Sequence, residues 1–421
     1  MSTWRPIIRV SFLLASFILS AVHVYAADLA PTDPLQKKID QILERAGLSA
    51  TRTRYSIQIV SIPDGQVLYE RNPDLALNPA SNVKLVTMAT TLKELGPSFT
   101  FKTEFYSDTL IDHEGRIQNL WIKGSGDPLF VTEQLDSVVQ RFKAAGLKGI
   151  DGQVFVDDTA FDRNNLTTYI ADVDERLYKV FTGPLAFNFN SIRNKSGRGL
   201  QGVPDPALYT GTAIKEALQR NGIRISGGVR REAVPSRALL LLSHSSPPLT
   251  DILKSLGKFS NNFTAEQLVK AISANHFGPP GSTPKGLKLL RAYLESLGIP
   301  QREFALDNGS GLTRLSRISA SQFVRLLFDL YTSPWRDDFI ASLSIAGRDG
   351  TMARKLTGGR VAGNVFAKTG TLNGVSALSG YLFETKCRLA FSFLFNDFNT
   401  SLETLARTEE DILEAVLDER P

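Results

Sequence analysis

Two hydrophobic periods alternate along the chain, and their order predicts a sheet assembled from both ends of the sequence. Leu35, Ile39, Ile42 and Leu43 fall on one face of a helix that Asp33 and Pro34 would open and Gly47 would close. Tyr55, Ile57 and Ile59 then alternate with polar neighbours, turn at Pro63-Asp64-Gly65 and return through Val67 to Tyr69, the pattern of an antiparallel hairpin. Asn78-Pro79 interrupts the chain before a long helical run that stops at Gly96. From 97 to 248 the apolar runs shorten ("SFTFKTEFYSD", "IDHEGRIQNLWIKGSGDP", "IDGQVFVDDTAFD", "GGVRREAV"), which predicts a mainly β insertion of one or two small domains. Helical spacing returns in "TAEQLVKAISANHF", "PKGLKLLRAYLESLG" and "SASQFVRLLFDLYTS". The chain closes with a strand pair around Lys368, the apolar run "CRLAFSFLFND" and the helix "SLETLARTEEDILEAVL". The expected architecture is an α/β (α+β) domain made of residues 27–96 and 249–421, with helices on an antiparallel sheet, interrupted by the accessory region 97–248.

The first residues change the picture of where this domain works. Arg5 and Arg9 precede an apolar run from Val10 that ends at Val24-Tyr25-Ala26, the pattern of a signal peptide occupying 1–26, which predicts export and removal of the segment. No later stretch reaches the roughly 18 apolar residues of a membrane span, so no stable insertion in the bilayer is expected after cleavage. Removing 1–26 lowers the formal charge from +5 to +3, too weak a balance to argue for nucleic acid. Cys387 is the single cysteine and lies in an apolar run, so the expectation is a core thiol and no disulfide staple.

Three short motifs carry the candidate chemistry. Ser81 and Lys84, three apart at a helix start, share one helix face, as a serine nucleophile with an amine base requires. The spacing recurs at Ser255/Lys258 and Ser282/Lys285, but Gly257 and Pro284 interrupt those copies, and neither is expected to head a long amphipathic helix. Ser-x-Asn occurs at Ser260/Asn262, in a loop between helices, and at Ser273/Asn275, in a helix whose polar groups should face water. Lys-(Ser/Thr)-Gly occurs at Lys195-Ser196-Gly197, in the basic loop "IRNKSGRGLQG" with no flanking strand expected, and again at Lys368-Thr369-Gly370, where it follows the apolar strand "NVFA". The ordered trio S-x-x-K, S-x-N, K-T-G is the signature of penicillin-binding proteins and serine β-lactamases. The remaining histidines after residue 26, His113, His244 and His276, are far apart and lack metalloprotease spacing, so neither a metal nor another cofactor is expected.

On these motifs the sequence resembles the low-molecular-mass penicillin-binding proteins, within them the D-alanyl-D-alanine carboxypeptidase/endopeptidase family, peptidase family S13. Ser81 and Ser260 stand 179 residues apart, similar to that family's habit of inserting domains between the first two motifs. "GSGDP" (124–128), "VDDTAFD" (156–162), "DNGSGL" (307–312) and "AGRDGTM" (346–352) add to the likeness. The resemblance implies a transpeptidase-like domain, peptidoglycan stem peptides as substrates, β-lactam antibiotics as covalent inhibitors and a periplasmic location.

The resemblance also implies roles. Ser81 would attack, Lys84 would take its proton, Ser260 would relay it, and Asn262 would hold Lys84 and the substrate amide. Lys368 and Thr369 would face the substrate carboxylate, and Gly370 would let the substrate backbone lie close. The backbone N–H groups of Ser81 and Thr371 would form the oxyanion hole, and Arg314 is a candidate for a carboxylate on the stem peptide's diamino acid, with a turn-capping arginine as the alternative. A secreted serine β-lactamase would use the same motifs, but no convincing Glu-x-x-x-Asn segment follows Ser260 and the long insertion argues against it. A non-catalytic wall-binding module of the same fold is the other alternative, which the intact motifs disfavour.

Overall fold

The computed structural model describes residues 34–48, 53–163, 168–171, 177–194, 197, 199–385 and 387–419. The expected signal peptide, Asp33 and the pair Lys195-Ser196 lie outside the described residues. Helix α1 (Pro34–Arg45) is followed by the hairpin β1 (Arg54–Ser61) and β2 (Val67–Arg71), and a single 3-10 turn, Ala80–Asn82, leads into α2 (Val83–Leu95). The interval 97–248 holds five strands of one sheet, β3 (Lys102–Ser107), β4 (Leu120–Gly124), β5 (Val154–Asp157), β6 (Val229–Arg231) and β7 (Leu239–Ser245). It also holds α3 (Thr132–Ala144) and α4 (Pro206–Arg220). After it come α5 (Leu249–Phe259), α6 (Asn262–Phe277), α7 (Thr283–Ser296), α8 (Ala320–Thr332) and α9 (Arg336–Ser342). The chain ends with β8 (Ser344–Ile345), β9 (Val365–Leu372), β10 (Val375–Glu384), β11 (Cys387–Asn396) and α10 (Leu402–Asp418).

The main sheet is antiparallel throughout, in the order β8-β9-β10-β11-β1-β2, so the first and last strands of the sequence are neighbours, Arg54 opposite Asn396. Its two faces are both covered. Ile57, Ile59, Phe391 and Phe393 pack beneath α1 and α10, while Val60, Ala377, Tyr381 and Leu394 join the core of α2 and α5–α8. Burial on both faces explains why β11 reads as a continuous apolar run instead of an alternating one, with Cys387 buried at its start.

The region 97–248 has its own core, in which Phe105, Ile122, Phe142, Val154 and Ile214 meet between the five-stranded sheet and its two helices. Its first and last strands, β3 and β7, pair with each other, so the interval closes on itself between α2 and α5. The helices add to the expected β content. In α3 the buried Leu135, Val138, Val139 and Phe142 have helical spacing that the turn-rich surroundings masked.

Three local expectations are corrected. Ser282 does head a long amphipathic helix, since it caps α7 and Pro284 sits in that helix's first turn, where a missing N–H costs nothing. Ser273 does not face water but is buried, its hydroxyl donating to Lys270 O and accepting from Ser282 N, which ties two helices together. The basic loop around 195–196 is bracketed by a short antiparallel pair, Ser191–Arg193 with Leu200–Gly202.

Candidate active site

The segment that carries Ser81 is a turn held in an unfavourable conformation. Ala80, just before the serine, has φ of 44° and is fully buried, a left-handed conformation that an L side chain adopts only when its surroundings impose it. Asn78 accepts from Ala80 N at 2.9 Å and is itself bracketed by Asn396, which accepts from Asn78 N and donates to Asn78 O. On the other side Asn82 is buried between Lys368 O at 2.8 Å and Ser379 Oγ at 2.7 Å. The amide orientation that satisfies both partners donates to the former and accepts from the latter. The turn is thereby pinned to the sheet on both flanks, with Ser81 half-buried between them.

Helix α2 then places Lys84 beneath the serine. Its Nζ lies 2.9 Å from Ser81 Oγ, 2.7 Å from Asn262 Oδ1 and 2.6 Å from Ser310 O. The second motif spans a break between helices. Ser260 closes α5 with φ of 57°, Asn261 caps α6 by accepting from Thr264 N, and Asn262 is the first residue of α6. This sharp two-residue connection aims Ser260 and Asn262 at two different lysines. Lys368 Nζ donates to Ser260 Oγ at 2.8 Å and to Thr369 O at 2.9 Å.

Both amines are fully buried, and burial is the first cause of a lowered pKa in each. Lys368 is brought down to about 7, with the charge of Lys355 adding to the effect. Lys84 lies well below its ordinary value because desolvation and the like charge of Lys368 outweigh the attraction of Glu266.

Among the described residues, strand β9 pairs with β8 through Phe366 and Ala367, and beyond Ala367 it has β10 on one side and no sheet neighbour on the other. Thr369 Oγ1 donates to Thr351 Oγ1 at 2.7 Å, and Thr371 is exposed. Gly370 has a reason for being glycine other than the expected approach of a ligand. A Cβ there would lie 2.7 Å from Pro79 O and 3.1 Å from Ser81 N, so the strand and the serine turn touch backbone to backbone. Gly311, at φ of 77°, presses on the same turn, where a Cβ would overlap the Ala80 carbonyl. Arg314 is exposed and donates to Asn373 O at 2.6 Å, on the turn that follows β9.

The structure thus gathers Ser81, Lys84 and Asn262 in one hydrogen-bonded group and Ser260, Lys368 and Thr369 in a second beside it. Motif reasoning missed Asn82, Glu266, Ser310, Thr351 and Gly311. Three of these, Ser310, Gly311 and Thr351, lie within "DNGSGL" and "AGRDGTM", so those stretches held the signal, while Asn82 and Glu266 look like ordinary helix residues in the sequence.

A doubly covered antiparallel sheet and a serine hydroxyl 2.9 Å from a fully buried amine define the class: transpeptidase-type serine acyl-transfer proteins, the fold of penicillin-binding proteins and serine β-lactamases. The sequence model of the D-Ala-D-Ala carboxypeptidase 3 (S13) family matches residues 35–188 and 192–417, and the chain belongs to that family. It is 31% identical to a D-alanyl-D-alanine carboxypeptidase of Actinomadura sp., over 91% of this chain and 85% of the relative. Identity to the D-alanyl-D-alanine carboxypeptidase DacB of Haemophilus influenzae is 25%, over 81% and 85%. The crystal structure of penicillin binding protein 4 (dacB) from Haemophilus influenzae shares the fold, with a TM-score of 0.72 across 89% of this chain and 98% of that one at 22% identity.

Proposed function

We propose that this chain is a serine-type D-Ala-D-Ala carboxypeptidase, with D,D-endopeptidase action on the same bond type, that cleaves peptidoglycan stem peptides through an acyl-enzyme on Ser81. The observation that carries the reading is the set of partners around Lys84. Ser310 O and Asn262 Oδ1 accept only, and Ser81 Oγ can donate. A neutral amine has two N–H groups for the two acceptors and one lone pair for the hydroxyl. Burial and the Lys368 charge favour that neutral form.

In the forward step Ser81 Oγ attacks the carbonyl of the penultimate D-alanine as its proton passes to Lys84 Nζ. The backbone N–H groups of Ser81 and Thr371 receive the oxyanion, each worth about 3 kcal/mol in comparable enzymes. The proton returns through Ser260 to the departing amine, and water later hydrolyses the ester. The open edge of β9 accepts the substrate backbone as an added strand. Lys368 and Thr369 meet the terminal carboxylate, and binding that anion draws a proton back onto Lys368. Arg314 keeps further N–H groups for the diamino acid's carboxylate. If so, Arg314→Ala should impair turnover of the carboxylate form far more than of the amidated form.

Export to the periplasm fits the signal-like N-terminus, and among the described residues no helix is long and apolar enough to cross a membrane. β-Lactams should acylate Ser81; the Haemophilus protein has been crystallised with one. Ser81→Ala is expected to abolish labelling by a fluorescent penicillin, and labelling that persisted would remove Ser81 from the role. Wild-type protein should release D-alanine from a stem pentapeptide. Rapid hydrolysis of penicillin without that release would point to a β-lactamase, and neither activity would point to a binding module. Mass spectrometry of digested peptidoglycan fragments separates lost terminal alanine from opened cross-links.

A further inference from the structure

Helix α6 carries a buried carboxylate with no part in the chemistry above. Glu266 lies one turn after Asn262, on the same helix face, and is 4% exposed. Its oxygens accept from Ser310 N at 2.9 Å and Gly309 N at 3.3 Å. Ser310 is the residue whose carbonyl accepts from Lys84, and Thr87 of α2 grips the same turn through Gly309 O at 2.7 Å. Backbone donors favour a charged carboxylate, whereas a protonated one would place an O–H against an N–H.

We infer that Glu266 is a positioning residue for acyl transfer: it fixes the 309–310 turn that aims Lys84 at Ser81, and it supplies the counter-charge that lets Lys84 and Lys368 share a single proton. The inference rests on Lys84 being the base. Its charge count is simple, since one carboxylate, one ammonium and one neutral amine make the buried cluster neutral. Isolated buried charge is thereby avoided while the base stays unprotonated. The charged groups around the cluster are few. Lys84 of α2 acts on Glu266, Lys368 of β9 acts on Lys84, and Lys355 acts on Lys368. Lys270, one turn further along α6, forms an ion pair with Asp162 at 2.9 Å. Burial raises the pKa of Glu266, and its N–H donors and Lys84 oppose that rise.

A carboxylate that only capped a turn would affect the rate of acylation but not its pH dependence. The test is the second-order rate of acylation by a fluorescent penicillin, measured from pH 5 to 10 on the full chain. Glu266→Gln removes the charge that holds Lys84's pKa up, so the acid limb should move to lower pH by roughly one to two units. Glu266→Asp keeps the charge but withdraws it from the turn. Its limb should stay in place while the plateau rate falls, by roughly a hundredfold for a displacement near 1 Å. A limb unmoved by Glu266→Gln, or a plateau unmoved by Glu266→Asp, overturns the inference. If Glu266→Gln does not fold, Glu266→Ala, which removes the same charge, takes its place, and an acid limb unmoved in that variant overturns the inference. Persistence of labelling in Ser81→Ala would instead defeat the underlying reading of the site, so the two failures are told apart.

Discussion

A lysine with no exposed surface is costly to keep charged, and this site holds two, Lys84 and Lys368. The cost depends on pH in a way that isolates Lys368. Its pKa falls from 10.5 to about 7 on burial, so the folded state binds fewer protons than the unfolded chain between those values. Below about pH 7 the folded protein carries the full penalty of a buried cation. Above it the penalty fades as the amine becomes neutral, so stability from this group rises with pH across the window. Lys368→Met removes the charge at similar volume. It should therefore raise Tm, and more at pH 6 than at pH 9, while acylation by penicillin collapses because the carboxylate partner is gone. Differential scanning calorimetry at the two pH values checks the sign. An equal or larger gain at pH 9 would mean that the buried charge is not what Lys368 costs the fold.

At the scale of elements, two glycines press on the serine turn, and only one of them had a visible reason in the sequence. Lys368-Thr369-Gly370 was legible because it followed an apolar strand, and Ser81/Lys84 because it opened a helix. Glu266 and Asn82 were not, because their importance comes from what they face across the fold: the turn at 309–310 and the strand carbonyl of Lys368. Local periodicity carries no information about such contacts. Gly370 is the instructive case, since the expected role was room for a substrate and the observed one is room for Pro79 and Ser81. Gly370→Ala should consequently act on the free enzyme, pushing the serine turn away and lowering penicillin acylation about a hundredfold if the shift approaches 1 Å. A small β-lactam and a long stem peptide should lose equally. Loss confined to the long substrate would restore the original explanation.

At the scale of the molecule, α6 has two working faces. Asn262 and Glu266 look toward the serine, whereas Phe263, Gln267 and Lys270 hold the 97–248 region, Phe263 packing with Val180 and Ala186. The split sheet was readable from apolar runs at the two ends of the chain, because strands buried on both faces announce themselves. How the inserted region seats was not readable, because the joining contacts form only across the fold: Asp162 N donates to Gly281 O, Gly281 N donates to Ala160 O, Lys270 pairs with Asp162, and Gln267 supplies a buried amide. Gln267 donates to Gly183 O at 2.6 Å and Gly126 O at 3.4 Å, and accepts from Gly183 N at 3.1 Å. Gln267→Ala leaves three buried backbone groups unsatisfied, at about 1–3 kcal/mol each. The penalty falls on the junction and not on either core, since Phe105, Ile122 and Phe142 belong to the region's own core and Leu85 and Met88 to the other. The expected result is a Tm lower by several degrees and new proteolytic cuts near residues 97 and 248, with penicillin acylation changed less than twofold because Ser81, Lys84 and Asn262 lie on the far side of α6. Unaltered cleavage by trypsin in Gln267→Ala would show that the region is held by contacts other than this amide, and Phe263 would then be the next residue to truncate.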